Sequence, residues 1–245
     1  MIRIATRALV VCSAAMPSPP KTTDDEVIAA ARKLVRRHGR DGFSMTDVAA
    51  AVGVRAPSLY GRFAHREALV TAVELTLWTE LGAALARAPR HAEPIATLTE
   101  LARAYRQFAK ANAREYGLMF DARAERSPEG TRARAAGLAP AMPAFAALAG
   151  EANALMAARV LTPFLHGFVS MELAGAFRLG EGIDEAFEHG VATILVGLAR
   201  GASAGSRARS PRPVRRPVQS HPKSGATTRV IHPRSRHLRR RPRAD

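Results

Sequence analysis

Arg55, Ser58, Tyr60, Arg62 and Arg66 lie within the single stretch VGVRAPSLYGRFAHR, and each carries a group suited to a nucleic acid. An arginine fork pairs with phosphate or with the edge of guanine, and a serine hydroxyl donates to or accepts from a base edge. For Arg55 and Ser58 two readings stand, a base edge or only phosphate and water. Tyr60 is read as a phosphate contact rather than a core residue, because Leu59 and Phe63 already supply the inward positions. Arg62 and Arg66 would fix register on a phosphate backbone. Upstream, Thr46 offers its hydroxyl and its backbone N–H to a further phosphate. Ala56 is small where a helix end must approach a groove.

Catalytic chemistry would instead need paired carboxylates, a nucleophile with its base, or a cofactor loop. The sequence has no GxGxxG. Its one cysteine, Cys12, builds neither a disulfide framework nor a zinc site. The chain is therefore expected not to be an enzyme and to need no cofactor or metal. His166 stands alone on an apolar helix, where a histidine is more often structural than catalytic.

The groups around residue 55 need a scaffold, and the flanking sequence describes one. Thr23 and Glu26 form a capping box ahead of VIAAARKLVRR, with Asp24 and Asp25 at the positive end of the helix dipole. Val27, Ile28, Ala31, Leu34 and Val35 share one face, and Gly39 ends the helix. A second, shorter helix begins at Ser44, with Asp47 as box partner and Phe43 and Val48 placed as a hydrophobic staple. Gly53 turns the chain, and a third helix is predicted over 56–62, with Pro57 tolerated in its first turn. Two short helices joined by a glycine turn make a helix-turn-helix, or else an ordinary helical hairpin.

Long helical stretches follow from Arg66: 66–88, 94–120, 143–160, 162–177 and 182–200, with a looser Arg/Ala/Pro segment over 121–143. Strand and hairpin signals are missing, alanine is common and aromatics are only 5%, so the predicted fold class is all-α. The last two helices are apolar on more than one face, which calls for burial on both sides, one side against a second copy.

Charge divides the chain. Residues 201–245 carry 13 Lys and Arg against one acid, out of a net charge of +16, whereas residues 21–200 hold 22 basic and 20 acidic residues. Within that near-neutral part, residues 21–66 hold nine basic and five acidic residues, so its positive surplus surrounds the candidate nucleic-acid contacts. The expected organisation is a disordered or spurious N-terminal extension over 1–20, with translation beginning at Met16, then a DNA-binding domain over 21–66. A larger helical domain spans 67–200, and a disordered basic tail spans 201–245. The tail either adds nonspecific affinity by counterion release or arises from a shifted reading frame. The segment before Met16 is interrupted by Arg7 and does not read as a signal peptide. With no apolar run near the ~20 residues of a membrane span and one cysteine, the expected setting is cytoplasmic and nucleoid-associated, away from the membrane.

The stretch FSMTDVAAAVGVRAPSLYGRFAHREAL resembles the DNA-binding domain of the TetR family of bacterial transcriptional repressors, over about residues 22–70. Downstream, LHGFVSMELAGAF (165–177) looks like the signature of a TetR subfamily with a Trp–His–Gly motif, and YGLMF (116–120) resembles a segment of the same subfamily. Arg62 and Arg66 replace the family's usual histidine and lysine, and LTP (161–163) stands where the tryptophan is expected. The resemblance implies a homodimer formed through helices at about 160–178 and 184–200. It also implies a double-stranded DNA operator of palindromic sequence and a small-molecule effector that releases the protein from it. It places His166 near a ligand pocket, which Phe108, Met119, Phe120, Phe145, Met156 and Phe164 could line; the same residues could equally be plain core. The rival function is nonspecific nucleic-acid binding through the basic tail.

Overall fold

The computed structural model describes residues 22–121, 127–180 and 182–208, with backbone only over 202–208. The extension over 1–20 and the tail beyond Ala208 lie outside the described residues. Among the described residues every regular element is a helix, and there is no strand.

Local chemistry sets the first elements. In α1 (Asp24–His38) the Thr23 hydroxyl accepts from the Glu26 N–H at 3.2 Å and the Glu26 carboxylate accepts from the Thr23 N–H at 2.8 Å, satisfying two otherwise orphaned donors. Ser44 and Asp47 repeat the arrangement at α2 (Met45–Ala51). Gly53 takes φ 71°, a left-handed conformation natural to glycine, and the Val54 N–H bonds back to the Ala49 carbonyl at 3.0 Å. α3 covers Ala56–Tyr60, shorter than the expected 56–62 because Gly61 and Arg62 close the last turn by bonding back to Leu59. Val27, Val48, Ala49, Leu59 and Phe63 are buried together and join the three helices into one small core. Each large apolar side chain so buried contributes roughly 1.5–3 kcal/mol.

α4 (Arg66–Arg87) leads from that core into the larger domain. It packs against α1, α5 (Pro94–Ala111) and α6 (Pro128–Leu138), the last falling in the segment expected to be looser. The α4–α6 approach is close enough to exclude a side chain at Gly137, where a Cβ would stand 2.7 Å from the Trp78 carbonyl oxygen. Across the same contact the buried Glu74 carboxylate accepts from the Trp78 indole N–H at 3.1 Å and from Arg134 at 3.0 Å.

Two long helices expected from the sequence are broken. The 94–120 stretch splits at Asn112, whose side-chain amide donates to the Phe108 carbonyl at 2.9 Å; a 3-10 turn then spans Tyr116–Phe120. The 143–160 stretch splits at Gly150, φ 81°, between α7 (Met142–Ala149) and α8 (Ala154–Leu173). Conversely, α8 runs through Pro163, where a new helix was expected to start; Pro163 has no N–H to return to the Arg159 carbonyl. α9 (Ile183–Ala208) continues past Arg200, where the tail was expected to begin. Ion pairs tie these helices together: Arg106 of α5 meets Glu172 of α8 and Asp184 of α9, each at 2.7 Å.

Arg66–Arg87 and Glu151–Leu173 are long and apolar enough by composition to cross a bilayer, contrary to the expectation that no such run exists. Much of the apolar surface of α4 is spent inside the protein, where Leu69, Val73, Leu77 and Leu81 are buried; α8 buries Ala157, Leu161 and Val169 but leaves Met156 and Val160 exposed.

Candidate nucleic-acid interface and ligand cavity

α3 presents its polar side outward. Arg55 caps the helix without using its side chain, and Arg55 and Ser58 are exposed, as is Thr46 in the first turn of α2. Tyr60 is 52% exposed, while Leu59 beside it is fully buried. Ala56 is half-buried where α3 begins. Arg55 and Ser58 line a shallow surface groove with Thr22, Gly53 and Arg62. Small and hydrogen-bonding groups therefore meet at the leading end of a short exposed helix, the arrangement a major groove admits.

The two downstream arginines are held differently. The Arg62 guanidinium is ion-paired with Asp24 and donates to the Thr22 carbonyl at 2.9 Å, so it pins the end of α3 to the start of α1. Arg66 donates to the Arg40 carbonyl at 2.6 Å, to Asp41 at 3.0 Å and to Glu67 at 2.6 Å, and its guanidinium lies 5.5 Å from the Phe43 ring centre. Arg66, read from the sequence as a phosphate contact, here fastens α4 to the α1–α2 loop.

A second set of charges joins this domain to the rest. Glu115 is 2% exposed and accepts from Arg32 of α1 at 3.0 Å; Arg32 also donates to Glu80 of α4 at 2.9 Å and to Asn112 at 2.8 Å. At the far end of the 116–120 turn, Asp121 pairs with Arg40 at 2.8 Å.

The larger domain encloses an apolar cavity of about 510 Å³. α4 contributes Leu85, α5 Leu98, Leu101 and Tyr105, and α7 Met142 and Phe145. From α8 come Leu155, Arg159, Thr162 and Leu165, on one face at helical spacing. Of the residues named from the sequence as pocket candidates, Phe145 is on this wall. Phe108 and Met119 are packed in the core. Met156 is 51% exposed on the outside of α8, and Phe164 turns to α9, where it meets Phe187 and crowds against Gly190. Phe120 and His166 stack on each other with centres 3.7 Å apart. The physical reason is helical phase: on α8, positions 155, 159, 162 and 165 face the cavity, while 156, 164 and 166 face elsewhere.

His166 is instead part of a hydrogen-bonded chain. Its Nδ1 lies 3.0 Å from the Tyr116 hydroxyl, which shares a 2.7 Å hydrogen bond with the hydroxyl of Tyr105. Burial pushes the His166 imidazolium down and the Tyr116 phenol up to about 12, so both stay neutral at physiological pH. The Ser170 hydroxyl, one turn further along α8, also lies 3.4 Å from the same Nδ1.

Residues 27–73 match the family profile described as bacterial regulatory proteins of the tetR family, and residues 98–194 match that of a tetracyclin repressor-like C-terminal domain. The two matches occur in order, agree with the two parts of the fold, and together cover more than half of the chain. This protein belongs to the TetR family. It carries the helix-turn-helix of that family and is a DNA-binding transcriptional regulator. Solved structures agree on the fold of this TetR-family chain. A protein of unknown function from Rhodococcus sp. RHA1 is 25% identical with a TM-score of 0.62, covering 76% of this chain and 100% of its own. Apo ActR from Streptomyces coelicolor is 19% identical with a TM-score of 0.58, covering 77% and 100%. A TetR variant from Acinetobacter baumannii AYE, solved in complex with minocycline, is 23% identical with a TM-score of 0.55, covering 74% and 98%. No curated protein matches the chain.

Proposed function

We propose that this TetR-family chain is a repressor that binds a palindromic operator as a homodimer and is released from it by a small apolar molecule. One observation carries the reading: α4 is fastened at Arg66 to the loop beside the helix-turn-helix and reaches, at Leu85, the wall of the apolar cavity. Its 22 residues span about 33 Å. A molecule filling the cavity displaces the DNA-bound arrangement only by its differential affinity for the two states. A 100-fold loss of operator affinity asks for ~2.7 kcal/mol of coupling, within the ordinary allosteric range.

Thr46, Arg55, Ala56, Ser58 and Tyr60 would meet the DNA directly, and Arg62 and Arg66 would keep the helices that carry them in place. Two copies would read half-sites ~34–36 Å apart. Met156 and Val160 of α8 and Val196 of α9 are exposed apolar groups that a second copy would cover. The likeness to the Trp–His–Gly subfamily gains support from the meeting of its two segments, 116–120 and 165–177, at the Phe120–His166 stack. The setting proposed is the bacterial cytoplasm at the nucleoid, without a catalytic role.

The test is enrichment of bound duplexes from a random pool by the purified full-length chain. A two-fold symmetric sequence should emerge. Enrichment of no sequence over the starting pool would rule the reading out.

A further inference from the structure

Resting on the ligand-responsive reading above, and giving its apolar ligand a charged head, we propose that the cavity takes a carboxylic acid with an apolar body, its head held by Arg159 and Thr162 of α8. The wall is almost entirely hydrocarbon, so the few polar groups on it decide what enters. Tyr105 brings a hydroxyl, but that hydroxyl is already engaged by Tyr116 at 2.7 Å. Arg159 and Thr162 are different. They lie three residues apart on the cavity side of α8, and among the described residues neither side chain has a hydrogen-bonding or ionic partner.

The contrast with neighbouring arginines sharpens the point. Arg103 is paired with Glu188, Arg106 with Glu172 and Arg134 with Glu74, while Arg90 donates to the Leu85 and Pro140 carbonyls. Arg159 is exposed yet lines the cavity, which puts it at the mouth. A guanidinium without an acid, at the rim of an apolar hole, favours a molecule that brings the acid with it.

The chemistry narrows the anion. One planar fork matches one carboxylate through two parallel N–H···O bonds, and a threonine hydroxyl beside it can donate a third. A phosphate monoester would bring nearly two charges to a site offering one cation, whereas one carboxylate matches one guanidinium. A neutral apolar molecule would fill the cavity but leave the guanidinium unused. The volume, about 510 Å³, is that of an ordinary small-molecule pocket. A medium-chain fatty acid or a polycyclic aromatic acid is of that size.

The experiment uses the full chain at neutral pH and two matched pairs of probes: dodecanoic acid with its methyl ester, and 1-pyrenebutanoic acid with its methyl ester. Binding is read by displacement of the neutral dye 1-aminoanthracene and by calorimetry. In at least one pair the acid should bind about tenfold tighter than its ester. Arg159→Met keeps the side chain's stem, and should abolish that preference without weakening the ester; Arg159→Glu should repel the acid further. Thr162→Val should weaken the acid by several-fold, roughly the worth of one hydrogen bond to a charged group. Equal affinity of acid and ester in both pairs overturns the proposal, as does a preference that survives Arg159→Met. If the dye fills the cavity and no acid displaces it, the acid assignment is wrong while the ligand-responsive reading stands. If neither dye nor acid binds, that reading fails and the assignment with it.

Discussion

Replacing Arg32 by methionine tests whether the two parts of the molecule are held together by a buried charge. The guanidinium of Arg32 donates to Glu115 at 3.0 Å, to Glu80 at 2.9 Å and to Asn112 at 2.8 Å, so one side chain on α1 grips α4 and the segment leading to the 116–120 turn. Arg32→Met keeps the apolar stem and deletes the fork. Glu115 then remains a buried carboxylate whose nearest cation, Arg36, stands 3.7 Å away on a side chain 58% exposed. Breaking a buried pair in this way costs about 3–5 kcal/mol; Arg36 can swing inward, so the lower end, about 3 kcal/mol, is expected. In a domain of this size that corresponds to a fall in Tm of roughly 6–12 °C. Glu115→Gln removes the buried charge but keeps an acceptor, and Glu80 still neutralises Arg32, so it should cost only about 1 kcal/mol. The double variant should therefore be more stable than Arg32→Met alone, by about 1–2 kcal/mol. Thermal and urea unfolding of the four proteins closes the cycle. An Arg32→Met protein within about 0.5 kcal/mol of wild type, or a double variant whose loss is the simple sum of the two, would refute the reasoning.

Gly137→Ala forces a Cβ to within 2.7 Å of the Trp78 carbonyl and 3.0 Å of its ring, and should cost about 1–3 kcal/mol in urea unfolding, with Trp78 fluorescence following the same transition. Glu172 is held down to about 2 by its hydrogen bond to Arg106 and then by Lys110; a depressed carboxylate stabilises fully above its unfolded value of about 4.5, and that stability is lost as pH falls through the range from 4.5 to 2. Glu172→Gln should lower stability at neutral pH by about 1–3 kcal/mol and flatten the acid limb of a stability–pH profile, whereas an unchanged limb would contradict the assignment. On selected operator DNA, Tyr60→Phe should weaken all sequences alike, while Ser58→Ala and Arg55→Ala should relax preference at particular base pairs by ~1–3 kcal/mol, both read from binding to a single-substitution duplex series.

What could be read ahead of the fold was what depends on near neighbours. Thr23 with Glu26 and Ser44 with Asp47 cap their helices through residues three apart, so the first two helices and the Gly53 turn were legible. The break at Asn112 was not, because its cause lies far along the chain: Arg32 draws Glu115 and Asn112 toward α1. Gly150 and Pro163 were both visible in the sequence, but one ends a helix and the other is carried inside one, and neighbouring helices decide which. The cavity shows the same limit. Aromatic and methionine residues were weighed by type, whereas lining depends on the rotation of α8 against α5 and α7. The usable signal was the spacing of Leu155, Arg159, Thr162 and Leu165 on one stripe. Arg62 and Arg66 were read as phosphate contacts, and their carboxylate and carbonyl partners become visible only when the chain is folded.

The central claim is that the exposed face of α3, doubled in a dimer, reads a DNA sequence. Its most direct test is equilibrium binding of the full-length chain to the enriched duplex and to a shuffled duplex of the same composition, at physiological salt, with stoichiometry measured on the same samples. The account predicts two chains per enriched duplex, bound at least about a thousandfold more tightly than the shuffled one. Equal affinity for both duplexes would contradict it.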